Sequence, residues 1–244
     1  MDLRRAVRHN GPSGAKKVLF LHGFTGAPLT FAPQIRAAID VGYDVSAPLL
    51  PGHGTEIAEM VPTRYEDYFS ACMDALEEIS AGDRLVTVVG ISMGGTLALD
   101  LALADARVDK LILINPLVVP PADSFIALLE AALAQGIQIA PGIGSDIADP
   151  SVHEDSYDGS PVAAALSLYR AADKLYGRVS ALQIPVLLFN SQTDHVVLGE
   201  SGLYLAEHVA NLRRVVLERS YHVATLDYDR DVITAGMLEF LAAG

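Results

Sequence analysis

The five residues Gly90-Ile91-Ser92-Met93-Gly94 constrain this chain more than any other stretch. They lie between a β-branched run, Leu85–Val89, and an apolar stretch of helical character, Thr96–Leu103. A strand that reverses into a helix over one serine brings its two backbones so close that side chains two positions either side would collide, and glycine stands at both positions. The pattern predicts a nucleophile elbow, with Ser92 Oγ pushed into a cleft and the helix start aimed at it. The pentapeptide alone is common in sequences; the strand before it and the helix after it make it informative.

The rest of the chain repeats the alternation that the elbow requires. Short β-branched runs at Lys17–Leu21, Tyr43–Ala47, Leu85–Val89, Lys110–Ile114, Pro185–Phe189 and Arg214–Leu217 are separated by amphipathic stretches at Thr30–Val41, Arg64–Ser80, Thr96–Ala104, Glu200–Val209 and Arg230–Leu241. This is the signature of an α/β fold, a mostly parallel sheet flanked by helices on both faces. One interval breaks the rhythm: from Leu117 to about Ser180 there is no convincing strand, only apolar helix-like pieces at Ser124–Ala134 and Pro161–Leu175 joined by the Gly/Asp/Ser-rich Gly142–Gly159. A structureless loop of that size does not suit a compact domain. The expected organisation is a core from residues 1–116 and 181–244, with a helical cap inserted at 117–180 over the carboxyl edge of the sheet.

Charge and composition exclude several classes. A formal net charge of −13 with scattered Lys and Arg leaves no basic patch to replace counterions, so a nucleic-acid partner is not expected. The apolar stretch Leu117–Ile143 is interrupted by Pro120, Pro121, Asp123, Glu130 and Pro141, which does not suit a bilayer, so no stable membrane insertion is expected. The first residues hold no apolar run of signal-peptide type, and the single Cys72 permits no intramolecular disulfide. A cytoplasmic protein with a packed thiol at Cys72 is the expectation; oligomeric state is not legible. His153-Glu154-Asp155 lacks a second histidine at ligand spacing and Gly142-x-Gly144 lacks a preceding strand, so neither a metal nor a cofactor is expected.

Ligands bind outside the carboxyl ends of strands in such sheets. Four of the six runs deliver chemistry there: His22-Gly23-Phe24-Thr25-Gly26, Ser92, Asn190 through Val197 with Asp194 and His195, and Ser220-Tyr221-His222. Serine, then aspartate, then histidine is the chain order of the α/β-hydrolase triad. In that arrangement His222 takes the proton of Ser92, Asp194 fixes the imidazole tautomer, and the backbone N–H groups of Met93 and Phe24 hold the oxyanion. Asp227 competes with Asp194, but stands beside the last helical stretch and suits a helix cap. His195 competes with His222, but its side chain diverges from its neighbour Asp194. His22 and His53 read as loop-structuring residues.

Taken together, the Ser92 elbow, His22-Gly23-Phe24-Thr25-Gly26, Leu50-Pro51-Gly52-His53-Gly54-Thr55, Asp194-His195-Val196-Val197, Ser220 through Asp227, and Ile143-Gly144-Ser145-Asp146 resemble bacterial monoacylglycerol lipases and related small carboxylesterases of the α/β-hydrolase superfamily. The resemblance spans nearly the whole chain. It implies hydrolysis of a lipid-like carboxylic ester through an acyl-enzyme, with an apolar acyl tunnel under the cap and a narrower glycerol site. That site would fall on Ile143, Asp149 and Glu154; the family carries an amide where this chain has Asp149. The apolar face Phe125–Leu133, with Phe125 and Leu129, reads as acyl contact, as packing, or as both. The alternatives are an acyl thioesterase or short-chain carboxylesterase of the same chemistry, and a non-catalytic binding protein on the same fold. An aspartate nucleophile of the dehalogenase type is disfavoured by Ser92; a cofactor-free peroxidase of the same fold is a further alternative.

Overall fold

The computed structural model describes residues 2–80, 85–142 and 144–243. In chain order the elements are β1 (Val7–His9), β2 (Lys17–Leu21), α1 (Ala32–Val41), β3 (Asp44–Ala47), α2 (Ile57–Met60), α3 (Tyr65–Ser80), β4 (Val86–Ile91), α4 (Met93–Ala104), β5 (Val108–Ile114), α5 (Asp123–Ala134), β6 (Ile139–Pro141), β7 (Gly159–Pro161), α6 (Val162–Leu175), β8 (Val186–Ser191), α7 (Glu200–His208), β9 (Leu212–Leu217) and α8 (Arg230–Ala242). Among the described residues a seven-stranded sheet runs β1-β3-β2-β4-β5-β8-β9, with β1 antiparallel and the other pairings parallel. This is the α/β architecture expected from the sequence, a mostly parallel sheet with helices between its strands.

Successive side chains of a strand point to opposite faces, and here both faces are apolar because both are covered. Val18 and Phe20 of β2, Val89 and Ile91 of β4, and Leu187 and Phe189 of β8 join a core completed by Phe31, Ile35, Ile233 and Met237 under α1 and α8. Leu19, Leu21, Val88, Leu111 and Leu188 face the other way, onto Leu76 and Ile79 of α3, Leu97 and Leu101 of α4, and Leu205 of α7. Cys72 lies in this second core, where burial pushes its thiol well above the usual range and leaves it a protonated packing group.

Strand order reverses around β2: β3 lies on one side and β4 on the other, which opens a crevice beyond their carboxyl ends. Residues 117–180 enter and leave the sheet between β5 and β8 and hold α5, β6, β7 and α6. Three features depart from the sequence reading. The edge strand β1 has only three residues and no alternating run to announce it. The stretch expected as one helix from Thr30 starts as a 3-10 turn, Pro28–Phe31, before α1. The interval expected to hold no strand contains the β6–β7 ribbon, whose Gly- and Pro-containing strands show a ladder only through their backbones. Among the described residues no helix is long and apolar enough to cross a membrane.

Candidate active site

Ser92 sits between β4 and α4 with φ 54° and ψ −121°, a conformation that costs a non-glycine residue on the order of 1–3 kcal/mol. The surrounding packing enforces it. A Cβ on Gly94 would lie 1.9 Å from the carbonyl oxygen of Leu21, and one on Gly90 would lie 2.2 Å from that of Gly94. The two glycines allow β2, β4 and α4 to touch through backbone, which is why Ser92 is thrown forward. Met93, as the first residue of α4, has an N–H with no acceptor inside the helix.

Across the sheet end, His222 and Asp194 come together. His222 Nδ1 lies 2.8 Å from Asp194 Oδ2, and both side chains are buried. The other oxygen of Asp194 accepts the N–H groups of Val196 at 2.9 Å and Val197 at 2.8 Å, so the carboxylate is fixed before it meets the imidazole. His195 points away: its Nδ1 lies 2.8 Å from Asp146 Oδ1 and its ring meets Tyr221 edge-on. Asp227 takes neither role considered for it from the sequence. It is fully buried, and its two oxygens accept four backbone N–H groups, from Ala148, Asp149, Tyr221 and Tyr228. The residue preceding α8 is Asp229, whose carboxylate accepts the N–H of Arg219 instead of a helix N–H. A buried carboxylate at a loop crossing satisfies its lone pairs from whatever donors the crossing supplies, and here these belong to two loops rather than to the helix start.

The turn after β2 is stiffened by two histidines. His22 donates from Nδ1 to the Gly23 carbonyl and accepts the Leu50 N–H at Nε2; His53 donates from Nδ1 to the Pro51 carbonyl and accepts the Thr25 N–H at Nε2, 3.1 Å away. Burial above all, with the neighbouring His53, holds His22 down to about 3, and burial holds His53 down to about 4, so both stay neutral and can accept. Thr25 is thereby locked at φ 65°. Its N–H is engaged by His53 and that of Gly26 by the Gly23 carbonyl, while Phe24, just before them, lies on the wall of the crevice.

Ser92, His222 and Phe24 line one cavity of about 520 Å³, roofed by Phe125, Leu128 and Leu129 of α5 and closed on one side by Glu154. Glu154 Oε1 accepts from Thr30 Oγ1 at 2.7 Å, and its burial raises its carboxyl above the usual range against the pull of Thr30 and His222. Asp149 lies outside this wall and turns its Oδ1 to the N–H and hydroxyl of Ser151. Ile143 lies outside the described residues. Among the described residues no three His, Cys, Asp or Glu side chains gather as a metal-holding group.

Sequence reasoning passed over Asn115 and Asp146. Asn115 follows β5 at φ 43°; its Nδ2 donates to the His222 carbonyl at 2.8 Å. An Asn just beyond a strand carboxyl end was the available signal. Asp146 reads from the sequence as part of a polar segment, Asp146–Asp155, facing the alcohol part of an ester, with nothing to tie it to His222.

Three comparisons bear on this geometry. A family model described as alpha/beta hydrolase fold matches residues 16–138. A thermostable monoacylglycerol lipase of Bacillus sp. (strain H-257) is 34% identical over 96% of this chain and 92% of its own, and a carboxylesterase of Bacillus subtilis (strain 168) is 25% identical over 93% of each. Among solved structures, a chain from work on two metagenome-derived lipolytic enzymes, LipS and LipT, superposes with TM-score 0.88 at 30% identity, covering 99% of this chain and 98% of that one. A monoacylglycerol lipase of Paleococcus ferrophilus shares the fold with TM-score 0.83 at 18% identity, covering 99% and 98%.

Proposed function

The chain belongs to the alpha/beta hydrolase fold family and is a carboxylic ester hydrolase, and on that premise we propose that it cleaves monoacylglycerols or similar lipid-like monoesters through Ser92, His222 and Asp194. The observation that carries the reading is that Ser92 and His222 wall the same apolar cavity, with Asp194 bonded to the far side of the imidazole. Ser92 is weakly nucleophilic at its free pKa and needs a base. His222, holding a proton on Nδ1 against Asp194, presents Nε2 as that base. Attack on the ester carbon gives a tetrahedral oxyanion, which the N–H groups of Met93 and Phe24 stabilise with the start of α4 behind them. The alcohol leaves with the proton from His222, and water, activated by the same imidazole, releases the acid.

Two features support a monoester with one long acyl chain. The roof of the cavity is built from α5, whose Phe125, Leu128 and Leu129 offer apolar contact and nothing to hydrogen bond. On the same cavity wall, Glu154 is a polar group able to accept from the hydroxyls of a small alcohol. A second acyl chain would have to enter that polar end, at a cost that grows with every methylene. In this reading residues 117–180 act as a cap over the site, and a small-molecule ester is the only partner required.

The test is a pair of measurements on purified protein. Ser92→Ala is expected to abolish turnover of p-nitrophenyl esters and labelling by a fluorophosphonate, with an unchanged melting profile. A monoacylglycerol is expected to be hydrolysed faster than the matching di- or triacylglycerol. Near-parent turnover in Ser92→Ala, or a preference for triacylglycerol, would remove this reading.

A further inference from the structure

The loop carrying His222 is held by two different parts of the molecule. On its carbonyl side it hangs from the sheet: Asn115 Nδ2 donates to the His222 carbonyl at 2.8 Å, and Ser191 Oγ donates to the Tyr221 carbonyl at 2.8 Å. On its N–H side it hangs from the inserted segment. Asp146 Oδ2 accepts the His222 N–H at 3.1 Å, the main-chain oxygen of Asp146 accepts the Val223 N–H at 3.0 Å, and Asp227 Oδ2 accepts the Tyr221 N–H at 2.9 Å while also holding Ala148 N–H at 2.7 Å. Two consecutive N–H groups, those of His222 and Val223, are thus bonded to Asp146, and that of Tyr221 shares Asp227 Oδ2 with the Ala148 N–H. The imidazole itself is bonded to Asp194, on the core side.

We infer that Asp146, a residue of the inserted segment, is a positioning residue for the His222 base, so that the base is placed correctly only while the foot of the cap is seated. The inference rests on the reading of His222 as that base. Asp146 is suited to the task. Its side chain is 11% exposed, and each oxygen is used: Oδ2 accepts the N–H groups of both His222 and His195, and Oδ1 faces His195 Nδ1. Bonds to a carboxylate are shorter and stronger than those to a neutral acceptor, and a buried carboxylate without them would be costly. Without Asp146 the His222 N–H loses its acceptor on the cap side, while the sheet still pulls on its carbonyl. The backbone then has freedom to rotate, and the imidazole swings with it. A displacement of about 1 Å at a reacting group costs on the order of a hundredfold in rate.

The experiment compares Asp146→Ala, Asp146→Glu, Asp146→Asn and His222→Ala, using p-nitrophenyl acetate, whose acyl group has no alkyl chain to bury, and a long-chain p-nitrophenyl ester. Asp146→Ala is expected to lower kcat about a hundredfold on both substrates with KM changed little, and to slow fluorophosphonate labelling of Ser92 in step. Asp146→Glu keeps the charge but lengthens the reach, and is expected to lose most of kcat with its melting profile preserved; it decides the matter if Asp146→Ala does not fold. Asp146→Asn retains an oxygen that can take both N–H groups and is expected to recover most of the loss. A folded Asp146→Ala or Asp146→Glu with parent kcat, or with only the KM for the long ester altered, overturns the inference while His222→Ala is inactive. Parent turnover in His222→Ala would instead overturn the assignment of the base beneath it.

Discussion

The elbow at residues 90–94 and helix α5 are both small-residue or apolar segments beside the same cavity, yet they are built on opposite terms. At the two glycines of the elbow the nearest contacts are backbone against backbone, and a methyl group added at Gly94 would lie 1.9 Å from a carbonyl oxygen. In α5 no residue is buried, although Phe125, Leu128 and Leu129 form the cavity roof. Steric necessity leaves one residue type at a position and so writes the site into the sequence. An apolar roof accepts many residue types, and its composition alone does not separate packing from substrate contact.

The sharpest way to break this contrast is at the elbow and its partners. Gly94→Ala is expected to prevent folding, because the Cβ meets the rigid main chain of β2 rather than a side chain that can move. Recovery of folded protein with a native melting temperature would show that the elbow has slack. Asp194→Asn leaves the shape intact and is expected to lower kcat about 10⁴-fold, the scale seen when a triad histidine is left in the wrong tautomer. Asp227→Asn is expected to act on stability instead, since the carboxylate it alters holds four backbone N–H groups. Steady-state kinetics and urea titrations of the two variants separate these roles; the reverse pattern would exchange the two aspartates.

What was legible in the sequence follows the same division. The parallel core strands announced themselves because burial on both faces demands β-branched runs, and Asp194 and His222 because they follow such runs. The β6–β7 ribbon and β1 were missed because three residues are too few for a period to emerge. Asp146 was missed for a different reason: its importance lies in a contact with a loop 76 positions away, which no local pattern encodes. Asp227 was misread because proximity to α8 suggested a cap, while the fold uses its carboxylate to join two loops.

The two regions should also titrate with opposite sign. His22 and His53, in the core beside the elbow, are held at about 3 and about 4, below the ordinary histidine value of 6.5, so the unfolded chain binds more protons than the native one between those limits. Their contribution is fully present above 6.5 and is lost as pH falls toward 4, at about 1.4 kcal/mol per pH unit for each. Glu154, at the cap, is raised above 4.5 by burial, so the native state binds the extra proton and its contribution is lost as pH rises through the raised value. Denaturation at pH 7, 6 and 5 is expected to show falling stability, with the slope reduced in His53→Gln; Glu154→Gln is expected to gain relative to the parent toward neutral pH. A flat profile between 5 and 6.5 would mean that the core histidines titrate freely.

The smallest effect is expected at the roof. Leu128 is 63% exposed, so Leu128→Ala removes little packing and is expected to change stability by no more than about 0.5 kcal/mol. Its effect belongs to the substrate. Each methylene of an acyl chain that leaves water against α5 contributes up to about 0.8 kcal/mol, or roughly fourfold in kcat/KM, until the cavity of about 520 Å³ is filled. Shortening the roof at Leu128 withdraws part of that contact from long chains and none from an acetyl group. Across a series of p-nitrophenyl esters the variant is therefore expected to match the parent at the shortest chains and to fall behind it by several-fold at the longest. Equal losses at every length would show that α5 shields the site without touching the acyl chain, and the contrast between a roof that binds and an elbow that reacts would have to be redrawn as one between two parts of the same scaffold.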